Sequence, residues 1–144
     1  MKNIYLIILS LISFYSHSQI ENTELEQRWE VIGSKNDGTV LLKLKGGNLY
    51  KFSFFNYQFS NKKTIQSIYL NSSSINVDNL YSFLLNSFDL IESRGSSFKI
   101  DKYEFQVLKN GDFIRVSVKS VNSDDNIGWM PLSIRGLNNL FGKY

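Results

Sequence analysis

The sequence predicts an α+β fold: an antiparallel β-meander and a β-hairpin form one sheet, and an amphipathic helix and a short C-terminal helix pack on its apolar face. Three observations support this prediction. Apolar and polar residues alternate on both sides of glycine turns, one segment is amphipathic at helical spacing, and a short apolar segment ends the chain. A sheet with one apolar face needs a cover, and the apolar stripes of helices supply it.

The meander turns at two glycine-containing sites. Trp29 to Ser34 and the strand after it flank Asp37-Gly38, a pair typical of a tight type I′ hairpin, which sets Val31 opposite Leu44. A second turn at 46–48 leads into a third strand, and a fourth is predicted over 64–70. The predicted inner side holds Val31, Val40, Leu42, Leu44, Tyr50, Phe52 and Phe54, and the outer side holds Leu41, Lys43, Lys45, Lys51 and Ser53.

Helical spacing is clearest over residues 77–88. The predicted helix begins after Ser74 or Asn76, either of which is a suitable N-cap, and Gly95 follows its end. Because the apolar residues recur every three or four positions, they form one face. They are Val77, Leu80, Tyr81, Leu84, Leu85 and Phe88.

A second hairpin turns at Asn110-Gly111, again a type I′ signature. This turn pairs Val107 with Ile114, Phe105 with Val116 and Tyr103 with Val118, which together make one apolar face. The final helix is predicted from an N-cap at Ser133 through Phe141, with Gly142 as its stop. It is expected to dock through Ile134, Leu137, Leu140 and Phe141.

The first 18 residues are typical of a cleavable export signal. Lys2 is followed by an apolar run from Ile4 to Phe14, and small residues at Ser16 and Ser18 suit cleavage before Gln19. The alternative is an uncleaved N-terminal anchor. We therefore expect an exported protein, periplasmic or secreted, in which residues 19–144 form a single globular domain. No transmembrane segment is expected after cleavage, because the apolar run is shorter than the roughly 20 residues that a spanning helix needs.

Composition excludes several functional classes. The only histidine, His17, lies in the predicted signal, and the chain has no cysteine, so triad chemistry, disulfides and the usual zinc sites are not expected. Without Lys2, the chain carries 15 basic against 13 acidic residues, a balance that does not favour nucleic acid. We expect no cofactor and no metal. The oxygen-rich segment 122–128 resembles a calcium loop only weakly and is better explained as a polar connection.

Lys43, Lys45 and Lys51 are the first candidate binding residues. In the predicted register Lys43 and Lys51 face each other across the second hairpin, an arrangement that like-charge repulsion disfavours unless an anion lies between them. The alternative is a solvated outer face that keeps the sheet soluble.

Phe55, Tyr57 and Phe59 are the second candidate set. After Phe54 the aromatic alternation changes phase, which predicts a bulge or a bend and a second face. If these rings are exposed, they mark a binding surface; otherwise they belong to the core.

These observations favour a small exported binding or interaction protein that is not an enzyme. Its partner would be a protein or a small-molecule ligand of the cell envelope or medium. Two alternatives remain open. One is a hydrolase that uses carboxylates only, for which Glu104 and another carboxylate would have to converge. The other is a structural component of the envelope.

Overall fold

The computed structural model of the 144-residue chain describes residues 28–58, 61, 64–92, 94–123 and 125–144. Residues 31–144 form one compact unit, and the fold described below is that of this unit with the start of its first strand. The predicted signal 1–18 and the candidate residue Phe59 lie outside the described residues.

Over the described residues the chain forms eight strands, two α-helices and one 3₁₀ turn. The strands make two antiparallel four-stranded sheets, and in each sheet every strand pairs with its sequence neighbour. An α-helix follows each sheet in the chain. The strands are β1 Trp29–Ser34, β2 Val40–Leu44, β3 Leu49–Phe55, β4 Ile65–Asn71, β5 Gly95–Ile100, β6 Tyr103–Asn110, β7 Phe113–Ser120 and β8 Asn126–Leu132; the helices are α1 Ser74–Asn86 and α2 Ile134–Leu140, and the 3₁₀ turn is Ser87–Asp89.

The α+β class is confirmed, but the prediction of a single sheet is wrong. The sequence pattern missed β5 and β8, which complete a second sheet around the second hairpin. Gly95, predicted to mark a helix exit, instead begins β5. Both strands contain residue types that are depleted in sheets, since β5 starts Gly-Ser-Ser and β8 contains Gly128 and Pro131. Pro131 is tolerated because β8 is an edge strand.

One hydrophobic core joins both sheets and both helices. Phe52 of the first sheet and Phe105 of the second have ring centroids 6.1 Å apart. Each helix buries its apolar stripe in the same core. The helical members are Val77, Leu80 and Leu84 from α1 and Leu137 and Leu140 from α2.

The first sheet lies one residue away from the predicted register. The Lys35 N–H donates to the Thr39 carbonyl (2.8 Å) and the Gly38 N–H to the Lys35 carbonyl (3.2 Å), so the first loop has three residues and Gly38 adopts φ 90°. In the next pair Leu41 lies opposite Phe52. A one-residue shift exchanges the faces of a strand, so Leu41 is buried in the core and Val31 is 64% exposed, the reverse of the prediction.

The second hairpin is shifted by two residues, which leaves its faces unchanged. Asn110 pairs with Phe113, so the turn is Gly111-Asp112, and Gly111 has φ 59° as a type II′ turn requires at its first central position. Val107 therefore lies opposite Val116 instead of Ile114. All six residues of the predicted apolar face are buried: Tyr103, Phe105, Val107, Ile114, Val116 and Val118.

Both helices begin at serine caps. Ser73, rather than Ser74 or Asn76, caps α1 and accepts a hydrogen bond from the Asn76 N–H (3.4 Å). The predicted Ser133 cap of α2 is confirmed, because its hydroxyl accepts from the Gly136 N–H (3.1 Å). Ile134 is 49% exposed, so its predicted docking is wrong.

We expect Gly33→Ala to destabilise the protein strongly. A Cβ at Gly33 would lie 2.0 Å from the Asn139 carbonyl oxygen, so the end of α2 must move away from β1. Overpacking of this kind typically costs about 1–3 kcal/mol or more. Gly47→Ala is the matched control, because the nearest atom to its Cβ is a Leu44 side-chain carbon at 3.4 Å. Urea unfolding of both variants checks the difference; equal stabilities would contradict the packing described.

Candidate functional site

The structure separates the three candidate lysines. Lys43 pairs with Tyr50 and its Nζ lies 5.7 Å from that ring, whereas Lys51 pairs with Leu42 on the other face and its Nζ lies 5.9 Å from the Tyr69 ring. The predicted facing of Lys43 and Lys51 is therefore wrong. Lys45 is exposed in the turn after β2. The amines of Lys43 and Lys51 do not point at a common ligand.

Of the candidate aromatics, Phe55 and Tyr57 lie where β3 ends and the chain turns. Strand β3 ends at Phe55, and the Tyr57 ring lies 4.7 Å from Phe55, edge to face, and 5.6 Å from Trp129 of β8. We call Phe55, Tyr57 and Trp129 the aromatic row. All three are half-buried, and Tyr57 packs against the core. The row is thus part core and part surface.

The buried side chain of Asn56 fixes this bend. Its oxygen accepts hydrogen bonds from the Gln58 N–H (2.9 Å) and the Trp129 N–H (3.3 Å), and its amide donates to the Ile127 carbonyl (3.3 Å). Gly128 makes room for it, since a Cβ there would lie 2.5 Å from the Asn56 side chain. The Tyr57 N–H also donates to the Trp129 carbonyl (3.0 Å). These contacts hold β8 beside the end of β3.

A polar cluster adjoins Tyr57. The Lys35 ammonium donates to Asp37 Oδ2 (2.9 Å) and to the Pro131 carbonyl (3.1 Å), so it ties the first turn to β8. Asp37 also accepts from the Thr39 N–H (3.0 Å) and from the Tyr57 hydroxyl (3.4 Å). The Asp37 carboxylate thereby receives hydrogen bonds from three residues.

These contacts shift two pKa values in opposite directions. Burial raises the pKa of Asp37, but hydrogen bonds from Lys35 and Thr39 and the charge of Lys35 outweigh it, and the net pKa lies below its ordinary value. Burial, the charge of Asp37 and the hydrogen bond to it all raise the pKa of Tyr57. At neutral pH the carboxylate is therefore ionised and the phenol is protonated.

Two depressions flank Tyr57, and we call them together the Tyr57 cleft. One, of about 430 Å³, is largely apolar and is bounded by Phe55 and Ile65. The other, of about 530 Å³, contains the Lys35 side chain and the guanidinium-bearing Arg135. Among the described residues, the ion pairs are Lys35–Asp37 and Lys143–Asp78, and neither includes Arg135. The remaining lining residues include Asn36, Phe113, Pro131, Ser133 and Asn139.

Asp37 is the carboxylate that lines the cleft. Asp37 is a weak proton acceptor because its carboxylate already accepts hydrogen bonds from Lys35 and Thr39.

No group of three or more His, Asp or Glu side chains that could hold a metal occurs within the described residues. In the 122–128 segment the Ser120 N–H donates to the Asp125 carbonyl (3.0 Å), which closes the connection between β7 and β8. No described helix is long and apolar enough to cross a membrane.

Sequence reasoning identified Tyr57 but missed its partners. Asp37 was interpreted only as a turn residue and Lys35 carried no signal, because the bonds that give them a role arise from the fold. Trp129 lies 72 residues from Tyr57 along the chain, and only the missed strand β8 brings the two together.

Comparison with protein-family models, with curated proteins and with solved structures finds no match to this chain.

We expect Asp37→Asn to flatten the acid dependence of stability. Since the folded pKa of Asp37 is lowered, its ionisation stabilises the fold above the unfolded pKa of about 3.9, and this contribution is lost as the pH falls through the folded value. The wild type should exceed the variant in stability at pH 7, and the two should converge towards pH 2–3. Urea unfolding across this range measures the effect. Asp112→Asn, in an exposed turn, is the control, and an unchanged slope in Asp37→Asn would refute the assignment.

Asn56→Ala should cost about 3 kcal/mol or more. The change leaves the buried N–H of Trp129 and the carbonyl of Ile127 without their partners, and each unpaired group costs about 1–3 kcal/mol. Chemical denaturation gives the value, with the exposed Asn122→Ala as control. A loss below about 1 kcal/mol would show that Asn56 does not hold the bend.

Proposed function

We propose that the protein is a small exported binding protein that is not an enzyme and that takes its ligand in the Tyr57 cleft. The observation that carries the proposal is the combination around one side chain of an apolar depression, a polar depression and a hydrogen-bonded Lys35–Asp37 pair with perturbed pKa. Clefts with convergent polar groups and perturbed titration are the usual place for a site. Export rests on the signal pattern of residues 1–18.

The residues that line the Tyr57 cleft suit an amphipathic ligand. An apolar or aromatic group fits against Phe55 and Ile65, while an anionic or hydrogen-bonding group reaches Arg135 on the other side of Tyr57. The Tyr57 hydroxyl donates a hydrogen bond to Asp37. Tyr57 lines both depressions and so separates the apolar half of the cleft from the polar half. A ligand of one polarity would use only half of the cleft.

Among the described residues, the neighbours of Glu104 do not favour the hydrolase alternative. Its register partners are Lys99 on β5 and Lys119 on β7, and the Gln106 amide donates to its carboxylate (3.1 Å). A glycosidase needs a second carboxylate facing the first across a substrate. Glu104 is surrounded instead by cations and an amide.

The test is capture of ligand by the immobilised chain from envelope and medium fractions, with mass spectrometry of both small molecules and proteins. We expect a captured amphipathic species that is lost with Tyr57→Ser and retained with Tyr69→Ser. Tyr69 is the matched control because it is a partly exposed tyrosine on β4, outside the cleft. Circular dichroism melts confirm that both variants are folded.

Two outcomes would overturn the proposal. Capture that survives Tyr57→Ser would place the binding site elsewhere. Saturable turnover of a substrate by the purified chain, abolished by replacing one carboxylate, would make the protein an enzyme.

A further inference from the structure

The outer face of the second sheet carries a trough whose lining residues differ from those of the Tyr57 cleft. Gly95, Leu108 and Arg115 lie side by side across β5, β6 and β7, and Ser97, Gln106 and Ser117 form the next row. The small residues on β5 and β7 leave a shallow space of about 530 Å³ bounded by Arg115 and Leu108. Register alone explains why these residues meet, since alternate residues of paired strands share one face.

Arg115 lines the trough and packs against Trp129. Its Cζ lies 4.3 Å from the centroid of the Trp129 ring, a cation–π contact that restricts the motion of the guanidinium. Neither ion pair among the described residues includes Arg115. In the described part of the chain, no carboxylate forms an ion pair with the guanidinium of Arg115. Packing on Trp129 lowers the entropy that binding an anion would otherwise cost.

The charges of this face favour an anion. Lys99, Glu104 and Lys119 lie across the sheet in a third row, so three cations face outward against one carboxylate. Arg115 and Lys119 are four residues apart on one strand, a separation of roughly 13 Å. A ligand with several negative charges along its length can reach both.

We propose that this trough binds the carboxylate groups of an acidic oligosaccharide. The planar guanidinium of Arg115 matches a carboxylate in a bidentate manner. Gln106, Ser97 and Ser117 offer amide and hydroxyl groups suited to sugar hydroxyls. The assignment does not depend on the Tyr57 cleft, since the residues that line the two sites are different.

Isothermal titration with a trimer of galacturonic acid tests the proposal. The wild-type chain should bind it saturably, and the fully methyl-esterified trimer, in which each carboxylate is replaced by an uncharged methyl ester, should bind at least tenfold more weakly. Arg115→Gln should also weaken binding at least tenfold, and Arg115→Lys should not restore it, because an ammonium cannot make the bidentate contact. Lys45→Gln, which removes one charge from an exposed turn that does not line the trough, should leave the affinity within twofold.

Ser97→Tyr gives a second variant that leaves Arg115 in place. Ser97 is exposed on β5, so the larger side chain fills the trough without entering the core. It should abolish binding while the melting curve stays unchanged.

Absence of saturable binding to the acidic trimer, equal binding of its ester, or equal losses in Lys45→Gln and Arg115→Gln would overturn the proposal. Tighter binding of triglutamate than of the sugar would reject the sugar and assign the trough to acidic peptides.

Discussion

The buried amide of Asn56 is the contact on which the arrangement of the two sheets depends. It lies just beyond β3 and exchanges hydrogen bonds with the backbone at both Ile127 and Trp129 of β8. A buried amide without partners is costly, so the chain can bury Asn56 only when β8 is in place. Gly128 supplies the space, since any side chain there would collide with the amide. One polar residue thus selects a single relative position of two apolar sheets.

The surface features follow from that position. Because β8 is held beside the end of β3, Trp129 meets Tyr57, and the Pro131 carbonyl comes within reach of Lys35. The Lys35 ammonium in turn holds the carboxylate of Asp37, which orients the Tyr57 hydroxyl. The Trp129 ring also makes a cation–π contact with Arg115. The cleft and the trough are therefore both anchored on β8, the strand that the sequence pattern concealed.

Much of the fold could be predicted because apolar alternation is insensitive to small errors in turn length. The second hairpin shows this well: a shift of two residues moved Val107 from Ile114 to Val116 without changing either face. In the meander the error was one residue, and Leu41 and Lys43 changed sides. Turn residues such as Asp37-Gly38 indicate where a chain reverses, but a two-residue loop and a three-residue loop with a left-handed glycine share the same signature.

The sites were harder to predict because their parts are distant in sequence. Tyr57 was identified from a local change of phase, whereas the alternation of the second hairpin does not distinguish Arg115 from the other polar residues beside it. Only the fold brings Arg115 against Trp129 and next to the small residues of β5 that line the trough. The absence of cysteine excludes chemistry that needs a thiol, but composition cannot show which arginine packs against an aromatic ring.

The pairing of every strand with its sequence neighbour has a kinetic consequence. Hairpin contacts close short loops and form early, so each four-stranded sheet in the described part of the chain has low contact order by itself. Contacts such as Phe52 with Phe105 close a much longer loop. We expect the two sheets to form first and to dock last, so that the surfaces built on β8 mature only in the final step of folding.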